Sequence, residues 1–206
     1  MGIRDWFNNG RKNKGSLDSK AKMVPIKLAS IKDDGDLGVK VEWDRIEGYS
    51  ELDLFFINVS KEELLSALDS WRWLPLTGLT AFAVSSFGEV YFSNNTGEIF
   101  HLDTLEGMLS KVAKSKSELV DILQEEEAQD KLLLGGFVLG ARVDGKFLDE
   151  GECYDFKIAP VLGGPMTAEQ VEKTSFVVKL NIAGQIHGQI KDLPPGTKID
   201  QVIFQD

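Results

Sequence analysis

Cysteine, histidine and long apolar runs are what this 206-residue chain has least of. Cys153 is the single cysteine, so no internal disulfide staples the fold, and a reducing compartment suits it. His101 and His187 are the only histidines and form no H-x-x-x-H or H-E-x-x-H pair, so neither a zinc site nor any other metal or cofactor is expected. No stretch approaches the roughly 18 consecutive apolar residues of a membrane span. The opening MGIRDWFNNGRKNKG lacks the apolar run of a secretory signal, and Trp6 stands where a myristoylation signal has Ser or Thr. The expected location is the cytoplasm, away from any membrane.

What is present is enough to build a core, since 42% of the chain is hydrophobic and 9% aromatic. Charge is unevenly placed. The first thirty residues hold seven Lys/Arg against Asp5 and Asp18, a net +5, which leaves −15 on the remainder of a chain whose total is −10. A body that acidic repels phosphate backbones, so direct nucleic-acid binding is not expected. Any charged partner should be basic.

Residues 8–22, NNGRKNKGSLDSKAK, have no apolar period, so residues 1–22 are expected to form a flexible basic tail ahead of a single domain over 23–206. Within that domain MVPIKLA, GVKVEWD and LDLFFINV predict short strands. Ser60 with Glu63 predicts a helix with a capping box, and Leu64, Leu65 and Leu68 its buried stripe. TAFAVSS, GEVYFSN and GEIFHLD predict a meander of at least three strands, the last two joined by the turn NNTG. Ser115 with Glu118 predicts a second capping box. Residues 129–142 predict one buried helix, separated from the preceding one by the polar QEEEAQD. CYDFKIA alternates as a strand does. Val178, Ile182, Ile186 and Ile190 recur at i, i+4, predicting a helix ended by Pro194 and Pro195, with Gly184 and Gly188 allowing close approach. DQVIF predicts a closing strand. The class expected is α+β, a mostly antiparallel sheet packed with about four helices.

Chemistry-bearing residues are few. Cys153 with either histidine is a candidate dyad, but free cysteine is among the residues most often buried, which favours a small packed thiol. LLLGGFVLGAR and VLGGPM lack the lysine and Ser/Thr of a phosphate loop. LDEGECYD brings together Asp149, Glu150, Glu152 and Asp155 without EF-hand spacing or a histidine. That favours a partner-facing acidic edge over a general acid/base pair.

FGEVYFSNNTGEIFHLDTLEG, ECYDFKIAPVLGG, FVVKLNIAGQIHGQI and LPPGT, in that order over about residues 70–195, resemble a bacterial family once known only as a domain of unknown function. It is the C-terminal domain of immunity proteins that neutralise type VI secretion DNase effectors. A GAD-like segment usually precedes this domain in that family and is not evident in residues 1–70. The resemblance implies an antitoxin without catalytic residues that occludes or distorts the active site of a cognate toxin, a basic nuclease. The candidate contacts are Glu125, Glu126 and Glu127, the loop acids Asp149, Glu150 and Glu152, and Trp71 and Trp73 as exposed anchors. A regulatory interaction module of the same fold, and an enzyme using Cys153 or the acids, are the alternatives.

Overall fold

Ser60 opens the first helix as the sequence predicts. Its hydroxyl accepts the Glu63 N–H at 3.1 Å, and the Glu63 carboxylate accepts the Ser60 N–H at 2.8 Å, satisfying two orphan donors reciprocally. The structure is a computed structural model describing residues 37–43, 52–194, 197, 199 and 201–204. The helix, α1, spans Lys61–Leu68 and buries Leu64, Ala67 and Leu68. The tail over 1–22 and the strand expected at MVPIKLA lie outside the described residues.

Two short strands precede α1, β1 (Lys40–Val41) and β2 (Phe56–Ile57), and four follow it: β3 (Thr80–Ser85), β4 (Val90–Ser93), β5 (Ile99–Asp103) and β6 (Met108–Ala113). β3 to β6 form the expected antiparallel meander of at least three strands, with β6 as its fourth. The β4–β5 turn is set by Asn94, whose side-chain oxygen accepts the Thr96 and Glu98 N–H groups, and by Gly97 at φ 83°. The other edge of β3 carries β1 at Thr80, in parallel, and β2 at Ser85, antiparallel. GVKVEWD therefore supplies only a short parallel edge pairing.

Both faces of this sheet are covered, which is why β3 reads as an unbroken run of small and apolar residues. Phe82, Tyr91 and Ile99 pack with Leu119, Leu133, Phe137 and Tyr154 on one side. Val90, Phe92 and Leu102 pack with Leu64, Trp71, Phe176 and Leu180 on the other. The covering elements are α1, α2 (Lys116–Ile122), α3 (Glu126–Leu133), α4 (Gly135–Val143), α5 (Phe176–Ile190) and the antiparallel hairpin of β7 (Glu152–Phe156) with β8 (Val171–Ser175). The class is α+β as expected, with five α-helices among the described residues.

Four local expectations need correction. The helix expected over 129–142 is two helices hinged at Leu134, which adopts φ 53°, ψ 41°. The Asp130 carboxylate holds the break by accepting the Gly136 N–H at 2.7 Å. The supposed separator QEEEAQD thus opens α3. At Ser115 the hydroxyl does accept the Glu118 N–H, but the Glu118 carboxylate takes the Lys114 N–H and not that of Ser115, so the box is not reciprocal. Gln201–Phe204 do not form the expected closing strand. In α5 the face turned to the sheet is Phe176, Lys179, Leu180, Gly184 and His187, whereas Val178 and Ile182 of the predicted i, i+4 row are exposed.

Candidate functional site

Two polar residues of α5 staple one end of the meander. Lys179 donates from Nζ to the carbonyl of Phe87 in the β3–β4 turn and to Thr104 Oγ1 in the β5–β6 turn, the latter at 2.9 Å. His187 Nε2 lies 3.1 Å from the Thr104 carbonyl. Gly107, at φ 66°, lies under the His187 ring, where an added Cβ would fall 2.3 Å from Nδ1. Burial pushes the His187 ring below its usual pKa against the pull of the Thr104 carbonyl. Neither role was legible in the sequence, although a lysine on the apolar side of a helix is a signal that a buried acceptor awaits it.

Beside this staple, Thr104, Asp155, Pro160, Val161, Ile182 and His187 line a narrow cleft of about 40 Å³, room for a few waters and too small for a drug-sized ligand. Asp155 projects from β7. Burial raises its pKa, Lys179 opposes that shift, and Glu172, its cross-strand partner on β8, adds to it.

The expected acidic contacts fall on different elements. Glu125 is the N-cap residue of α3 and Glu126 and Glu127 form its first turn; all three are exposed where the helix dipole favours negative charge. Asp149 and Glu152 converge on Lys173, whose Nζ lies 2.9 Å from Asp149 Oδ2 and 2.6 Å from Glu152 Oε2, and that cation lowers both carboxyl pKa values. Glu150 is exposed next to them. The structure joins Asp149 to Glu152 and leaves the run at 125–127 as a separate edge.

Trp71 does not fit the expectation of an exposed anchor. It is 0% exposed, and its indole N–H donates to the Leu180 carbonyl at 2.8 Å. Trp73 is half-buried, stacked on Trp71 at 5.5 Å, and donates to the Gly184 carbonyl at 3.2 Å. The glycines of α5 make this possible: a Cβ at Gly184 would meet Ser70 Oγ at 2.2 Å, and one at Gly188 would meet Trp73 Nε1 at 3.0 Å. The indoles are therefore docking elements for α5.

Cys153 is fully buried, and desolvation pushes its thiol up to about 12. His101 is also buried, 3.3 Å from Glu89 Oε2, a distance that allows charge attraction but with the atoms out of line for a hydrogen bond. Burial lowers the His101 pKa, and the Glu89 carboxylate overrides it, leaving the ring above its ordinary value. Among the described residues no group of three or more His, Cys, Asp or Glu is arranged to hold a metal ion. No helix among them is long and apolar enough to cross a membrane.

The arrangement defines an acidic α+β domain that presents carboxylates and apolar side chains at its surface. Residues 113–187 match the family described as T6SS immunity protein Tdi1, C-terminal, and this supports a type VI secretion immunity protein family for the chain. The match runs from the end of β6 through most of α5, a narrower span than the resemblance over 70–195. No curated protein is significantly similar to the chain. The crystal structure of Atu4351 from Agrobacterium tumefaciens is 19% identical over 51% of this chain and 53% of that one, with a TM-score of 0.33. The chain thus spans about half the length of that protein, at a likeness too distant to define the fold.

Proposed function

We propose that the chain is an immunity protein that neutralises a secreted nuclease in the cytoplasm by binding it and occluding or distorting its active site, with no catalytic step of its own. The observation that carries the reading is the family match in a chain with −15 net charge beyond residue 30. A nuclease must present basic surface to its phosphate-bearing substrate, and an acidic inhibitor is complementary to that surface. Glu125, Glu126 and Glu127 on α3 and Asp149, Glu150 and Glu152 at the β7 edge are the acids proposed to face it, across an interface of roughly 1,600 Å². Trp73 retains a partly exposed ring at the margin, while Trp71 supports it from the core.

The test is co-expression with the product of the adjacent reading frame. Growth should be restored, and the two proteins should co-purify. Rescue without a physical complex would end the binding mechanism, and a bound toxin without nuclease activity would end the nuclease assignment.

A further inference from the structure

The exposed row on α5 is left without a role by the fold. Val178 and Ile182, 49% and 38% exposed, stand one turn apart on a face that the sheet does not use, and the row continues into buried Ile186. Opposite Ile182, across the cleft, lies the 3₁₀ turn Pro160–Leu162. This turn displays Ile158 and Leu162, 53% and 39% exposed. It is rigidly built: Leu162 and Gly164 both donate to the Ala159 carbonyl, and a Cβ at Gly164 would fall 1.9 Å from the Ile158 carbonyl oxygen. On its other side Val161 and Leu162 line a second, more open depression of about 340 Å³ with Ile199 and Val202. A preorganised turn that holds large apolar groups in water loses little entropy on binding, as a hot-spot surface requires.

Charge around this surface indicates what covers it. Asp155, in the cleft wall, and Glu172 are directly opposed across β7 and β8, a like-charge pair that is unfavourable in the free protein. Glu172 forms no ion pair with a described Lys or Arg, whereas Asp155 feels the attraction of Lys179 and accepts the Phe156 N–H at 2.8 Å, so Glu172 is the acid left for a partner's cation. Every residue of the surface from Asp155 to Ile186 falls within the family match.

The geometry points to the exposed apolar side chains Ile158, Leu162, Val178 and Ile182, around the cleft between the 160–162 turn and α5, as the docking surface for the cognate toxin, covered by an apolar side chain flanked by an arginine or lysine that meets Glu172. This rests on the immunity reading above and names the surface that carries it out. The apolar patch is the centre of the proposed interface, and the acids at 125–127 and 149–152 act at longer range.

The experiment uses the full chain and the purified product of the adjacent reading frame. Hydrogen exchange on the wild-type complex should show new protection in residues 158–163 and 176–186. Val178→Asp with Ile182→Asp should weaken binding at least about tenfold, mainly through faster dissociation. Glu172→Lys should weaken it too, with a melting temperature no lower than that of the wild type, since it relieves the repulsion with Asp155. Should the aspartates unfold the chain, Leu162→Ser and Ile182→Gln serve in their place. Protection confined to other segments, or cleft variants that bind as the wild type does, would overturn this assignment while leaving the immunity reading standing. Failure of the wild-type chain to bind at all would remove both.

Discussion

At the scale of single residues, the buried pair of Glu89 and His101 is the group with the most readable consequence. His101 is faced by Glu89 and Asp103, and Lys179 acts on Glu89. The attraction of the carboxylates outweighs burial, so the folded protein holds the His101 proton more tightly than the unfolded chain, whose histidine titrates near 6.5. The folded state then binds more protons above that pH, and stability falls as pH rises through the folded pKa. His187 acts in the opposite sense: burial depresses its pKa, so its share of stability is present above about 6.5 and lost as pH falls. Cys153, pushed up to about 12 from an ordinary 9, adds a loss only above about pH 9. Melting temperature should therefore decline as pH rises above about 6.5, and His101→Gln should flatten that decline. An identical slope in the variant would show that the pair does not titrate there.

Among elements, α5 is the one held most plainly by residues from far along the chain. It stands against Trp71 and Trp73 through Gly184 and Gly188, and it holds two turns of the meander through Lys179 and His187. Gly184→Ala places a methyl against Ser70 Oγ and against an indole nitrogen already committed to Leu180. Neither neighbour can yield cheaply, so a loss of about 1–3 kcal/mol is expected from overpacking, measurable by urea denaturation. A neutral result would mean that α5 shifts outward without cost. The close approach at these glycines was legible in the sequence, because glycine on a helix face that otherwise carries bulky residues has few other uses. Which face of the helix it served was not. The row of Val178, Ile182, Ile186 and Ile190 is more regular in sequence than the true core stripe, which contains a lysine and a histidine whose polar ends find partners only in the folded chain. The break at Leu134 was hidden for a related reason: a leucine in the left-handed region carries no local signal, and tertiary burial with the Asp130 cap holds it there.

At the scale of the molecule, the proposed binding is divided between charge and apolar surface. The −15 beyond residue 30 should steer a basic toxin from a distance, so the association rate should fall as salt rises from low to physiological concentration. Reversing Glu125, Glu126 and Glu127 to lysine should slow association several-fold and leave dissociation nearly unchanged, as rapid-mixing kinetics would show. An association rate indifferent to both salt and reversal would remove steering from the mechanism and leave a purely apolar interface.

Composition and local pattern alone determined a great deal about this protein: the α+β class, the reciprocal cap at Ser60, the meander from TAFAVSS to GEIFHLD, the β7 strand and the long α5 helix. These follow from period, turn chemistry and capping, which act over a few residues. The immunity-family resemblance was likewise carried by motifs in the chain. Only tertiary structure decided that Trp71 supports the core instead of meeting a partner, that Lys179 and His187 face inward, and that Val178 and Ile182 face out. Burial is set by which neighbours arrive from more than a hundred residues away, as Leu180 does at the Trp71 indole, and no local pattern encodes that arrival.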